Sequence, residues 1–187
     1  MLLSPNVARD DLTERLCCEQ CDKAFLQQGA TDGTTACTVL VSGTNVFCAN
    51  VGDSEAMIVK MSAGMCRGEK ISHTHKPSDA SEANRIRNLG GTVKKIRGVV
   101  RVNDDLSVSR AIGDAKFKQF IGPDPTVTCT SIDKDCEYLV IGSDGLWDVT
   151  GPNAAAMLVR ATPGCPKPLQ CRRVCVQSDL RCGCTGA

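Results

Sequence analysis

The chain is poor in aromatic residues, in histidine and in net charge, and each shortage narrows what it can be. Aromatic side chains make up 3% of its 187 residues, so a core has to be assembled from Val, Ile, Leu, Ala and Cys. A formal net charge of +1 gives no electrostatic case for binding nucleic acid or an anionic membrane. No apolar run approaches the roughly 20 residues of a membrane span. Met1-Leu2-Leu3, broken by Ser4-Pro5-Asn6, is too short an apolar stretch for a secretory signal. These absences predict a soluble, intracellular protein, cytoplasmic or nuclear.

What is present is ordinary in bulk and unusual in one respect. The 42% hydrophobic and 23% charged content is that of a soluble globular domain with a real core. Cysteine is the exception, with 13 residues. Without a secretory signal a disulfide framework is not expected, and most of these are read as reduced thiols. Cys37, Cys48 and Cys129 lie in strand-like runs, where cysteine behaves as a small hydrophobe. Cys18-x-x-Cys21 and the tail set Cys165, Cys171, Cys175, Cys182 and Cys184 invite a zinc reading, but the tail lacks paired Cys-x-x-Cys spacing and contains no His, so no zinc site is expected.

Periodicity divides the chain into a disordered start (1–10), a folded region (11–161) and an irregular Cys/Pro-rich tail (162–187). Residues 11–28 step apolar side chains at helical intervals from an Asp11/Glu14 capping pair to Gly29. Residues 36–41, 45–51 and 56–60 alternate as strands joined by short turns, which favours an antiparallel meander. Residues 78–89 predict a surface helix capped by Ser78 and stopped by Gly90-Gly91. Residues 126–130 and 137–141 read as a hairpin turning at Asp133-Lys134-Asp135. The two histidines, His73 and His75, lie one residue apart before Pro77. On a strand they would share a face, but the Pro-terminated context predicts a solvated loop.

One stretch concentrates the chemistry. The run Tyr138 to Ile141 reads as a buried strand that ends at Gly142 and delivers Asp144 and Asp148 into a tight turn beside the single Trp147. Carboxylates at the end of a buried strand are costly unless they are hydrogen-bonded, cap a helix or meet a cation. Hard cations such as Mg²⁺ and Mn²⁺ take such oxygens. The local alternative is an Asx turn at Ser143-Asp144, with Asp148 starting a helix. Asp53, in Gly52-Asp53-Ser54, stands at a second strand tip.

Several blocks in this order resemble one family: Gly33-Thr34-Thr35-Ala36, Ala49-Asn50-Val51-Gly52-Asp53-Ser54, His75-Lys76-Pro77, Leu106-Ser107-Val108-Ser109-Arg110-Ala111-Ile112-Gly113-Asp114 and Ser143-Asp144-Gly145-Leu146-Trp147-Asp148. Together they are similar to the metal-dependent (type 2C) serine/threonine protein phosphatases over about residues 11–160. The resemblance implies an α+β fold, an antiparallel β-sandwich flanked by α-helices, here missing terminal strands. It also implies Mg²⁺ or Mn²⁺ as cofactor and hydrolysis of phosphoserine or phosphothreonine by metal-activated water. By position, Asp144 would ligate the central metal pair. Asp53 and Asp148 would join it at a weaker site, and Thr35 would orient metal-bound water. Gly52, Gly145, Ser109, Arg110 and Asp114 would be structural, with Arg110 in an internal ion pair.

The family's amino-terminal metal-binding and general-acid block has no counterpart in residues 1–32, nor has its carboxy-terminal aspartate-asparagine block in the tail. No catalytic group is therefore assigned. The expectation is an incomplete chain, weakly active or inactive by itself, or alternatively a non-catalytic pseudophosphatase. Its partners would be a phosphoprotein substrate or a protein of a signalling complex.

Overall fold

A computed structural model describes residues 5–162. In chain order these form α1 (Pro5–Gln27), β1 (Gly33–Thr34), β2 (Ala36–Ser42), β3 (Asn45–Val51), β4 (Glu55–Ser62), β5 (Met65–Lys70), α2 (Ala80–Asn88), β6 (Val93–Ile96), β7 (Val99–Val102), β8 (Ile112–Gly113), a 3-10 turn (Ala115–Phe117), β9 (Thr126–Ser131), β10 (Cys136–Gly142), α3 (Asp144–Trp147) and α4 (Pro152–Ala161). The Cys-rich tail assigned to 162–187 lies, beyond Thr162, outside the described residues. Among the described residues no helix is long and apolar enough to cross a membrane.

Two three-stranded antiparallel sheets, β2-β3-β9 and β10-β4-β5, form the body. They meet through alternate residues, as the two-residue period of a strand requires. Val46 and Cys48 of β3 pack with Ala56 and Ile58 of β4, and Val39, Leu139 and Ile141 close around them. The opposite face of β4, Met57 and Val59, is covered by Ala155 and Ala156 of α4 together with Tyr138, Val140 and Trp147. α1 packs against β3, β8 and β9 on the other side. The result is helix on sheet on sheet on helix, the α+β sandwich expected from the sequence. Fully burying a side chain the size of Val46, Ile58, Met57 or Val59 contributes about 1.5–3 kcal/mol.

The connectivity differs from a meander. β2 and β3 pair as a hairpin, and so do β4 and β5, but the turn between β3 and β4 carries the chain from one sheet to the other. β9 and β10 are not hairpin partners either: β9 pairs with β3 and β10 with β4. The Asp133-Lys134-Asp135 turn is still an Asx turn, with the Asp135 N–H donating to Asp133 Oδ1 at 2.9 Å, but it arches between sheets. Short apolar strands separated by a turn look alike in both arrangements; only packing against the facing sheet decides. β5, Met-Cys-Arg-Gly-Glu-Lys, has too little apolar alternation to be read from sequence.

Helix limits shift as well. α1 begins at Pro5, so Asp11 lies inside the helix. The N-cap of α2 is Asp79 rather than Ser78 and makes no side-chain capping bond. α2 is more than a surface helix, because Ile86 is buried in a second core with Val102, Ala111, Phe117 and Ile121, and Ala83 is buried as well. Cys129, expected in an apolar setting, is exposed on β9, an edge strand of its sheet; the described cysteines are free thiols.

Candidate functional site: an acidic corner at the sheet crossing

The β3–β4 crossing is built around Gly52, whose φ of +94° suits glycine. A Cβ there would collide with the Thr35 side chain. Thr35 is held in place by Ser54, their hydroxyl oxygens 2.8 Å apart. Its hydroxyl is thus engaged with a neighbour at the corner.

His75 pins the crossing. Its backbone N–H donates to Gly52 O at 2.8 Å, and the Gly52 N–H donates back to His75 Nδ1 at 3.2 Å. That leaves Nε2 as the protonated nitrogen, and it sits 2.8 Å from Thr126 Oγ1 on β9. His75 is fully buried, which corrects the solvated-loop reading; His73 is the exposed one, its ring 5.3 Å away edge to face. Burial, reinforced by the nearby Arg110 charge, holds the His75 pKa down to about 4. The ring is a neutral structural strut at ordinary pH.

Behind this loop lies an ion-pair knot. Glu82 of α2, buried, accepts from Arg110 Nη2 at 2.6 Å, from Arg85 Nη2 at 2.9 Å and from Ser109 Oγ at 2.8 Å. Burial pushes its carboxyl up, yet the bonds from Arg110, Arg85 and Ser109 outweigh that and hold it down to about 2. Arg110 therefore points at Glu82 and at Asp124 O, 2.9 Å away. The Ser109 N–H donates to His75 O at 3.1 Å, which ties the knot to the pinned loop.

Sequence reasoning found Arg110 and Ser109 but not Glu82, although an acid in the first turn of a helix was visible. It also missed Asp22 of α1. That buried carboxylate accepts from the Gly113 N–H at 2.7 Å and pairs with Lys118 Nζ at 2.6 Å. Asp114 takes a left-handed φ of +54° as the N-cap of the 3-10 turn. Burial raises its carboxyl, with Lys118 opposing.

The carboxylates nominated from sequence do come together. β10 pairs with β4 so that Gly142 lies opposite Glu55, which brings the segments just beyond, Asp144 and Asp53, to the same end of the sandwich. Asp144 opens α3 and Asp148 caps its C-terminus, while α4 starts separately at Pro152. Asp148 therefore ends a helical turn instead of starting one, and Ser143 makes no capping bond. Trp147 locks the turn, its indole N–H donating to Gly142 O at 2.8 Å.

Asp53 is the enclosed member, with its side chain 12% exposed, against 63% for Asp148. Burial raises the Asp53 carboxyl; Lys76 opposes, and the charges of Asp144 and Asp148 push it further up. Lys76 Nζ stands 3.7 Å from Asp53 Oδ2 and 3.7 Å from Asp148 Oδ1. Gly145 has open space around it, a Cβ there meeting only Ser143 Oγ at 3.6 Å, so no steric requirement marks it.

A family model described as protein phosphatase 2C matches residues 8–184. The chain belongs to the protein phosphatase 2C family. It is 37% identical over 144 residues to the rice probable protein phosphatase 2C 32, covering 77% of this chain and 36% of that protein. It is 38% identical over 149 residues to the Arabidopsis probable protein phosphatase 2C 59, covering 76% of this chain and 45% of that one. Among solved structures, a C. elegans sex determining protein matches with a TM-score of 0.72 at 25% identity, over 79% of this chain and 36% of that chain. A serine-threonine phosphatase 2C from Toxoplasma gondii matches in fold with a TM-score of 0.72, over 85% of this chain and 60% of that one. The chain thus spans less than half the length of these two plant relatives.

Proteins of this family are generally dependent on Mg²⁺ or Mn²⁺. The donors here, carboxylate oxygens, have the right chemistry for a hard cation. Their arrangement does not complete a centre: among the described residues no group of three or more His, Cys, Asp or Glu side chains converges closely enough to hold a metal.

Proposed function

We propose that this chain works in a metal-dependent protein phosphatase that hydrolyses phosphoserine or phosphothreonine in a phosphoprotein of a signalling pathway. The observation that carries the reading is the gathering of Asp53, Asp144 and Asp148 at one end of a protein phosphatase 2C sandwich. In this reading Asp144 is a ligand of a central divalent pair, Asp53 and Asp148 serve a weaker neighbouring site, and Thr35 orients water. The divalent ions would supply an acidified water and neutralise phosphate charge. The protein's own part is to hold a rigid acidic wall: His75 pins the crossing and Trp147 pins the turn. The same reading has the chain acting in the cytoplasm or nucleus and turning over weakly or not at all by itself.

A second reading, a non-catalytic pseudophosphatase that binds a protein partner, is favoured by the incomplete donor set among the described residues. One assay separates the two. The purified chain is followed for Mn²⁺-dependent release of phosphate from a phosphothreonine peptide. Turnover that disappears in Asp144→Ala supports the phosphatase. Turnover equal in both proteins removes Asp144 from the chemistry, and a null result in both is met equally by an incomplete phosphatase and by the binding module.

A further inference from the structure

The acidic corner already holds a cation, and the chain supplies it. Lys76 Nζ is placed midway, 3.7 Å from an oxygen of Asp53 and 3.7 Å from an oxygen of Asp148. Asp53 leaves the β3–β4 crossing, and Asp148 leaves the end of α3, which β10 carries to the same place. The lysine is not there by chance of a flexible chain. Its neighbour His75 is bonded to Gly52 in both directions, so residues 76 and 53 leave adjoining, locked backbone positions. Pro77, fully buried, fixes the other side of Lys76. Only the side chain can swing, and at 40% exposure it has solvent to swing into.

We infer that Lys76 is the resident counter-cation of this corner and competes directly with a divalent cation for Asp53 and Asp148. An ion entering between the two carboxylates has to displace the ammonium or sit against its charge, and either lowers the ion's affinity. The ammonium also accounts for the incomplete metal geometry: the carboxylates are arranged around a monovalent group at salt-bridge distance, not around a small octahedral ion with 2.0–2.1 Å bonds. Lys76 thereby sets the divalent-ion concentration at which the corner fills. It is a positioning and affinity-setting residue and touches no reacting atom. The inference concerns ion binding at the corner proposed above, and it stands or falls without any turnover being measured.

The test is a Mn²⁺ titration of the full chain, followed by loss of the free-ion electron paramagnetic resonance signal. Lys76→Met keeps the stem and removes the charge, and at least a tenfold gain in Mn²⁺ affinity is expected. Lys76→Arg keeps the charge and is expected to stay within about twofold of the parent. In the Lys76→Met background, Asp53→Asn should cancel the gain. Thermal melting without Mn²⁺ verifies that each variant is folded. A Lys76→Met protein that is folded and binds Mn²⁺ no better than the parent, or not at all, overturns the inference. So does a gain that survives Asp53→Asn, because the ion would then be bound elsewhere.

Discussion

His75 and Gly52 are hydrogen-bonded to each other twice, once backbone to backbone at 2.8 Å and once from the Gly52 N–H to the imidazole Nδ1 at 3.2 Å. The imidazole thus does for the sheet crossing what a further strand pair would do. It satisfies an N–H that the departing chain would otherwise leave buried and unpaired. His75→Ala removes this acceptor, breaks the contact with Thr126 and leaves a cavity. A loss of about 3 kcal/mol in unfolding free energy is expected, read from the shift in urea midpoint.

The same ring gives the protein a pH signature. The unfolded chain takes up a proton on His75 near pH 6.5, whereas the folded chain resists until about 4. Between those values the unfolded state binds more protons, so stability is complete above pH 6.5 and falls as pH drops toward 4. The slope approaches about 1.4 kcal/mol per pH unit at its steepest. Urea midpoints measured from pH 7 to pH 5 should fall for the parent, with a clearly smaller slope for His75→Asn. That window lies above the Glu82 range, so the two groups can be read apart.

Glu82 is the keystone of a knot with two guanidinium groups and one hydroxyl. Glu82→Gln leaves Arg110 and Arg85 without their partner charge and is expected to cost about 3 kcal/mol. Ser109→Ala, which removes one neutral donor, is expected to cost about 1 kcal/mol. The double variant should cost less than the sum, because both lesions fall in one network. Denaturant unfolding of the four proteins checks the cycle.

Two glycines that look alike in the sequence should respond oppositely. Gly52→Ala faces both a φ of +94° and a collision with Thr35, and a loss of at least about 2 kcal/mol is expected. Gly145→Ala meets open space inside a helical turn and should be neutral or stabilising by up to about 1 kcal/mol. Melting temperatures of the two variants decide it.

Asp144 and Asp148 are exposed. Asp144→Ala should therefore leave the unfolding free energy within about 0.5 kcal/mol of the parent while changing Mn²⁺ binding, a combination expected of a residue kept for a ligand. A large loss of stability would assign it to the fold instead.

The sandwich and its acidic turns were legible because alternation, turn residues and the order of the blocks are local features. Asp53, Asp144 and Asp148 could be nominated since each ends an apolar run, and a carboxylate at such a place stands out. The partner sheet of a strand is not a local property. β4 and β10 each follow a short turn after a strand, and only the packing of Ile58, Leu139 and Ile141 against the facing sheet reveals that the chain has changed layers. His75 was misread and Glu82 missed for a related reason. A polar residue in a loop or a first helical turn is exposed by default, and its burial depends on Thr126 and Arg110, which are distant in sequence. The role of Asp22 rests on a contact with Gly113 that no pattern within α1 announces.

The pairing of Gly142 with Glu55 joins segments far apart in sequence, and Asp144 reaches Asp53 through it. Asp53 and Lys76, by contrast, are brought together by the early β3–β4 crossing and its histidine. In a nascent or partly unfolded chain the lysine therefore meets a single carboxylate, and the excess of negative charge appears only when β10 docks, a contact that closes a long loop. If the corner takes up a divalent cation as proposed, that uptake would report that the sheet is complete: a chain with β10 undocked would look electrostatically satisfied there and offer the ion nothing to hold.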